Sequence, residues 1–312
     1  GMKAAMIASE EISNNPDAVI LCGGIENMSQ APYLVPWTVR FGSKLGAMSM
    51  EDHMLKDGLT DVFNGYHMGI TAENIAEKYN ISREEQDAFA LESQMRAKAA
   101  IEAGKFKDEI CPVEVNLRRK TVTVDTDEYP RLDADMESLV KLRPAFKKEG
   151  GTVTAGNASG INDGAAVILL AGEAAVKKYK LEVTGVITGW GQGAIDPAVM
   201  GMGPVPAIRN MFKRFGGSLK DAGLFELNEA FAAQSLGVIK ELSIEYDISE
   251  KDILEKANVN GGAIALGHPI GASGARIMVT LLHEMKKRNV QTGIGSLCIG
   301  GGMGTAARIE LP

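Results

Sequence analysis

Apolar positions along the chain fall into runs of two periods. Met2, Ala5, Met6, Ile7 and Ile12 recur at rough helical spacing and predict a helix over 1–17. From Ala18 to Cys22 the chain is continuously apolar and then meets Gly23 and Gly24, the pattern of a buried strand running into a loop. Ser82 followed by Glu85 is a capping-box signature; it opens a helix whose apolar side is Ala88, Leu91, Met95 and Ala99, with Gly104 to end it. A second apolar run, Ala165–Leu170, precedes a charged helix ending near Lys180. Beyond residue 181 strand and helix patterns alternate: a strand over Val183–Thr188, a helix over 204–215, a strand at Leu224–Glu226, helices over 229–243 and 271–288, and strands near 292–298 and 304–310. Such alternation predicts an α/β fold with a mixed, largely parallel sheet covered by helices.

Between these runs the pattern weakens. Residues 25–70 are irregular and rich in Met, Gly and Pro, and 105–150 carry most of the charge runs with two short β-like stretches. The composition of 28–161 differs from both flanks and reads as an insertion or loop subdomain. That leaves 1–27 and 162–180 as one structural half and 181–312 as the other. Leu21-Cys22-Gly23-Gly24 and Leu297-Cys298-Ile299-Gly300 echo one another, each closing a strand with a cysteine and glycine, which fits two related halves. The first helix has no strand, cap or loop before it, so the N-terminal half is expected to be incomplete.

Composition narrows the possible partners. The chain of 312 residues has 36 glycines and only 5% aromatics, which suits tight turns and close packing. With 33 basic and 40 acidic residues the net charge is −7, which gives no reason to expect nucleic acid or an anionic membrane as partner. Three cysteines, Cys22, Cys111 and Cys298, suggest reduced thiols and a cytoplasmic setting. No apolar run approaches a membrane span, and no signal peptide is seen.

Four stretches can carry chemistry. Asn228-Glu-Ala-Phe-Ala-Ala-Gln234 sits at the mouth of a helix; its Asn is either a helix cap or a group that holds a water or a carbonyl. In Asn260-Gly-Gly-Ala-Ile-Ala-Leu-Gly-His268-Pro-Ile-Gly-Ala-Ser-Gly274, the glycine density around His268 favours close approach of the backbone to something over a structural turn histidine. Cys298-Ile-Gly-Gly-Gly-Met-Gly304 ends a buried strand where a thiol and an oxyanion hole could coexist, against the alternative of an inert buried cysteine. Thr152–Gly164 is a loop of small residues suited to lie along a thin, polar ligand. None matches a phosphate-cradling or dinucleotide fingerprint, and no metal site is expected.

Taken together, and with Gly23-Gly-Ile-Glu-Asn-Met-Ser29 and Tyr66-His67-Met68-Gly69, these stretches resemble the signatures of the thiolase family, in the family's order and over essentially the whole chain. The acetyl-CoA acetyltransferase branch, of the biosynthetic type, is the nearest likeness. The resemblance implies a layered αβαβα fold of two related halves. It implies acyl transfer between coenzyme A thioesters, by condensation or by cleavage of a short 3-ketoacyl-CoA, with no permanently bound cofactor. In that likeness His268 activates the nucleophile and polarises the incoming thioester oxygen. Asn228 holds a water that completes that site, Cys298 exchanges a proton with the α-carbon, and the Gly300 N–H helps bind the other oxyanion. The coenzyme arm would lie against Leu59, His67, Met68, Phe146, Ala155, Ser159, Ala230 and Phe231, with Arg131 at the nucleotide end. A homodimer or homotetramer is expected. The family's nucleophile lies in a Cys-x-Ser-Gly turn not found in this sequence, so the chain is expected to be N-terminally truncated and unable to form an acyl-enzyme. The competing expectation is a non-catalytic coenzyme A-binding protein or subunit of the same fold.

Overall fold

The computed structural model describes residues 1–312. It opens with α1 (Met2–Asn14) and β1 (Val19–Asn27). α1 is shorter than its apolar pattern because Pro16 disfavours helical backbone at the residue before it and supplies no N–H. β1 continues through Gly23 and Gly24, where other backbone comes too close for a side chain: a Cβ on Gly24 would stand 1.9 Å from the Gly271 carbonyl oxygen. The irregular region holds the paired two-residue strands β2 (Tyr33–Leu34) and β3 (Glu51–Asp52), a 3-10 helix at Trp37–Phe41 and a π-helical turn at Met54–Leu59. It ends sooner than the sequence suggests, at α2 (Met68–Tyr79), which has His67 as its N-cap. α3 (Arg83–Glu102) has the expected capping box: the Glu85 N–H donates to Ser82 Oγ at 3.1 Å and the Ser82 N–H to the Glu85 carboxylate at 2.7 Å. The two β-like stretches form a hairpin, β4 (Val113–Leu117) with β5 (Lys120–Val124), followed by the short α4 (Met136–Val140).

The rest of the chain runs β6 (Asp163–Ala171), α5 (Glu173–Tyr179), β7 (Val186–Ala194), α6 (Pro204–Phe215), β8 (Leu224–Leu227), α7 (Ala232–Tyr246), α8 (Glu250–Lys256), α9 (Ala263–Leu266), α10 (Ile270–Arg288), β9 (Thr292–Ile299) and β10 (Met303–Glu310). β7 differs most from its expected span. Its glycines look like a strand stop, yet they lie inside the strand because α6 packs on them: a Cβ on Gly191 would meet the Ala207 carbonyl oxygen at 2.2 Å.

The strands form two main sheets. β1 and β6 pair antiparallel in unbroken register from Val19–Ala171 to Asn27–Asp163. The larger sheet has the order β7-β10-β9-β8. The expectation of a largely parallel sheet is wrong: only β8 and β9 are parallel. β9 and β10 are joined by Gly300–Gly302, with Gly301 and Gly302 at positive φ, and so short a link joins only antiparallel neighbours.

Helices α1 and α10 lie between the two sheets and α6 covers the far face of the larger one. The inner core joins Met2, Met6, Cys22, Ile277, Met278, Leu281 and Leu297. The outer core, around Ile208, Met211, Val238 and Leu242, also takes in Ala72, Ile75 and Ile81, so helices of the 28–161 segment share a core with the C-terminal half. Four layers, β/α/β/α, are thus seen of the expected five. The outward face of the β1–β6 pair, with Leu21 at 70% and Ile25 at 77%, is exposed.

Candidate active site

His268 stands in the link between α9 and α10. Gly267 precedes it at φ +95°, and a Cβ there would strike the Asn162 side chain. The N-terminal half holds this link in place. The His268 N–H donates to Asn162 Oδ1 at 3.0 Å, and the Gly271 N–H donates to the Glu26 carboxylate at 3.1 Å. The ring makes two contacts: Nδ1 lies 2.6 Å from Ser273 Oγ, and Nε2 lies 3.3 Å from Asn228 Nδ2. Burial, reinforced by the nearby Arg276 charge, pushes the imidazole down to about 4, so it is neutral at neutral pH.

Asn228 is delivered by the end of β8. Parallel pairing sets Leu227 beside Ser296, and the Asn228 N–H donates to the Ser296 carbonyl at 3.0 Å. The same ladder therefore carries Cys298 two residues further along the neighbouring strand. Asn228 is not a helix cap, since α7 starts at Ala232 with Phe231 as its N-cap. Its Oδ1 is buried with no protein partner. Cys298 is buried with Met200 and Ala230, with Met68 and Phe231 packed against them. The Met68 methyl lies over Gly300, where a Cβ would stand 2.4 Å from it. Burial pushes the Cys298 thiol up to about 12, with only a backbone hydrogen bond opposing. A sulfur enclosed by apolar side chains disfavours the thiolate, so Cys298 is held as the thiol at rest.

Most of the residues assigned to the coenzyme arm form one wall. His67 stacks on Phe146 with ring centroids 4.5 Å apart, and Phe146 meets Phe231 edge-on at 6.2 Å. His67 Nδ1 accepts the Gly69 N–H at 2.9 Å, and burial lowers the affinity of this ring for a proton. The small-residue loop is fastened to this wall, as the Ser159 N–H and Oγ both donate to the Ala230 carbonyl and Ala158 bridges Phe231. Leu59 immediately precedes Thr60, which bridges His67. Ala155 is exposed in the turn between Thr154 and Gly156. Arg131 is exposed and anchored by its backbone N–H to Gln94 Oε1 at 3.0 Å; nearby, Tyr129 packs on Gly160 of the loop.

Several contributors have no clear sequence signal. Glu229 lies beneath the site, accepting from Ser93 Oγ and Asn258 Nδ2 at 2.7 Å each and from the Ile264 N–H at 3.2 Å. Burial raises its pKa, and it ties α3, α9 and the turn after α8 to the loop that carries Asn228. Met200 reaches Cys298 from a turn far away in sequence. Ser273 and Asn162 lie inside glycine-rich stretches already marked, and helical spacing from Pro269 is the clue that could have singled out Ser273. A cavity of about 290 Å³ opens beside the end of α3, lined by Ile101, Phe106, Ile110 and Leu266 among others, and none of the expected site residues lines it.

Comparison with known proteins places the sequence and the fold in a family. The family model described as thiolase, N-terminal domain, matches residues 1–174, and that for the thiolase C-terminal domain matches residues 181–311. An acetyl-CoA acetyltransferase of Chromobacterium violaceum is 51% identical over 313 residues, covering 100% of this chain and 77% of the relative. A crystal structure of the Bacillus anthracis acetyl-CoA acetyltransferase superposes with a TM-score of 0.93 at 46% identity, covering 100% of this chain and 76% of that one. Human mitochondrial 3-ketoacyl-CoA thiolase in complex with CoA gives 0.90 at 48% identity, covering 100% and 75%. Both domain models are matched, so the expectation of a truncated chain with an incomplete N-terminal half is not borne out. No helix is long and apolar enough to cross a membrane. By family-model match over both halves, by identity to curated relatives and by fold, the chain belongs to the thiolase family.

Proposed function

We propose that this protein is an acyltransferase of the acetyl-CoA acetyltransferase type, acting on coenzyme A thioesters with short acyl groups. The observation that carries the reading is the Asn228 amide 3.3 Å from His268 Nε2, on a strand laddered to the one that ends in Cys298. An acyl-accepting thiol brought beside His268 would pass its proton to Nε2, which is neutral and able to take it, as it attacks the acyl-CoA carbonyl. The Cys298 thiol, protonated at rest, gives its proton to the departing coenzyme sulfur. That leaves a thiolate enclosed in apolar surroundings, a strong base for the α-carbon of the next acyl-CoA. The enolate oxygen is held by the protonated Nε2 and by a water on Asn228 Oδ1, an acceptor no protein group uses.

None of the three cysteines suits the role of acyl-accepting thiol. Cys22 is enclosed in the inner core, where burial raises its thiol; Cys111 is exposed, and Cys298 is committed to proton transfer. The coenzyme arm is assigned to the wall of His67, Phe146, Phe231 and Ser159, with Arg131 at its outer end. The binding-only alternative is not favoured, because a holder of coenzyme A has no use for an imidazole, an amide and a thiol on one cavity.

The test separates enolisation from acyl transfer. Acetyl-CoA incubated with the protein in D2O is expected to take up deuterium in its methyl group. The rate should rise by about tenfold per pH unit as the thiolate of a group near 12 becomes populated, and Cys298→Ala should abolish it. Absence of uptake, or uptake that survives that variant, refutes the assignment. Intact mass after acetyl-CoA treatment is expected to show Cys22 and Cys111 unmodified.

A further inference from the structure

Three contacts around the imidazole define a directed chain. Asn228 Nδ2 faces Nε2 at 3.3 Å, Nδ1 faces Ser273 Oγ at 2.6 Å, and Ser273 Oγ lies 2.9 Å from the Pro269 carbonyl oxygen. An amide nitrogen only donates and a carbonyl oxygen only accepts, whereas a neutral ring has one nitrogen of each kind and a hydroxyl can do both. With the amide nitrogen as the ring's neighbour, Nε2 is the acceptor, so Nδ1 carries the hydrogen. Ser273 Oγ then accepts from Nδ1–H and sends its own hydrogen to the Pro269 carbonyl. Every contact is satisfied, and the chain runs in one direction from Asn228 to the first turn of α10.

We propose that Ser273 is a positioning residue that fixes His268 in the Nδ1–H tautomer and so keeps the Nε2 lone pair aimed into the cavity. Ser273 is fully buried, and helical spacing places it one turn from Pro269, under the ring. Its hydroxyl hydrogen-bonds to the ring and to the Pro269 carbonyl, so its effect on chemistry passes through the imidazole. The inference rests on the reading of His268 as a base, but the state it describes is a property of the free protein.

The test is therefore made without substrate. Two-bond ¹H–¹⁵N correlation spectra of the ¹⁵N-labelled protein at pH 7.5, with the ring assigned by its loss in His268→Asn, report which nitrogen bears the proton. The expected result is protonated Nδ1 and unprotonated Nε2 in the wild type. Ser273→Ala should give a mixed or Nε2–H ring, and Ser273→Thr, which keeps the hydroxyl, should restore Nδ1–H. A wild-type ring protonated at Nε2, as would follow from a reversed Asn228 amide, overturns the proposal whether or not the variants fold. So does a Ser273→Ala ring indistinguishable from wild type. Deuterium uptake by acetyl-CoA is measured separately: its failure with an Nδ1–H ring present removes the catalytic reading and leaves the tautomer assignment standing.

Discussion

At the scale of single residues, the site is set by how burial changes ionisation. His268 sits near 4 when folded, below its ordinary 6.5, so the unfolded chain binds a proton that the folded one refuses. The contribution is fully present above pH 6.5 and is lost as pH falls through 4. Thermal melts from pH 7 to 4 should show His268→Gln losing less stability than wild type, by about 1–3 kcal/mol once solvent access to the ring is allowed for. Met68 acts through shape. Its methyl fills the space over Gly300 beside Cys298, so Met68→Ala should open the acyl end of the cavity. By calorimetry, hexanoyl-CoA binding should then improve by about tenfold relative to acetyl-CoA, the scale of a few methylenes in an apolar pocket. An unchanged ratio would remove Met68 from the acyl-binding wall.

At the scale of elements, two kinds of sequence feature behave differently. Ser82 and Glu85 act within one helix turn, so their capping box is readable in the sequence and is found as read. Ser82→Ala should cost about 1 kcal/mol in denaturant unfolding, and a loss below a few tenths would mean that tertiary packing alone holds the start of α3. Gly191 depends on a helix more than a dozen residues away. A Cβ there meets the Ala207 carbonyl and the Met211 backbone nitrogen, neither of which can turn aside as a side chain can. Gly191→Ala should therefore lift α6 from β7 and cost about 1–3 kcal/mol. Local signals made β1, β8, β9 and α10 legible, whereas β7 was misplaced because its glycines serve a neighbouring helix. α2 was missed because its start is set by His67 within an otherwise irregular region.

At the scale of the whole molecule, buried carboxylates bear on how the halves respond to pH. Glu226 on β8 lies 3.4 Å from Arg276 on α10, yet burial raises it to about 8; Glu109, hydrogen-bonded to Thr280 of α10, is raised to about 7 for the same first reason. These groups fold more readily when protonated. Their contribution is complete below about 4.5 and is lost as pH rises through 7 and then 8, opposite in sign to that of His268. Above pH 6.5 the His268 contribution is constant while these carboxylates still act, so the wild-type melting temperature should fall between pH 6.5 and 9. Glu226→Gln should flatten that fall while preserving the shape of the side chain. A variant whose profile parallels the wild type would show that Glu226 is ionised throughout.

The sequence by itself determined what depends on neighbours along the chain: the helix caps, the apolar strand runs, the glycine-rich link around His268, and the family, through motifs in a fixed order. Their periods and turn requirements are local, so they survive in one dimension. Tertiary structure alone decided which groups meet. Parallel pairing of β8 with β9 aligns Asn228 with the end of the Cys298 strand, and Asn162 and Glu26 reach across from the other half to hold the His268 link. Enclosure by Met200, Ala230 and their neighbours raises the Cys298 thiol, which its flanking glycines do not foretell. Burial and hydrogen-bond direction are properties of surroundings drawn from distant segments, and no stretch of sequence contains them.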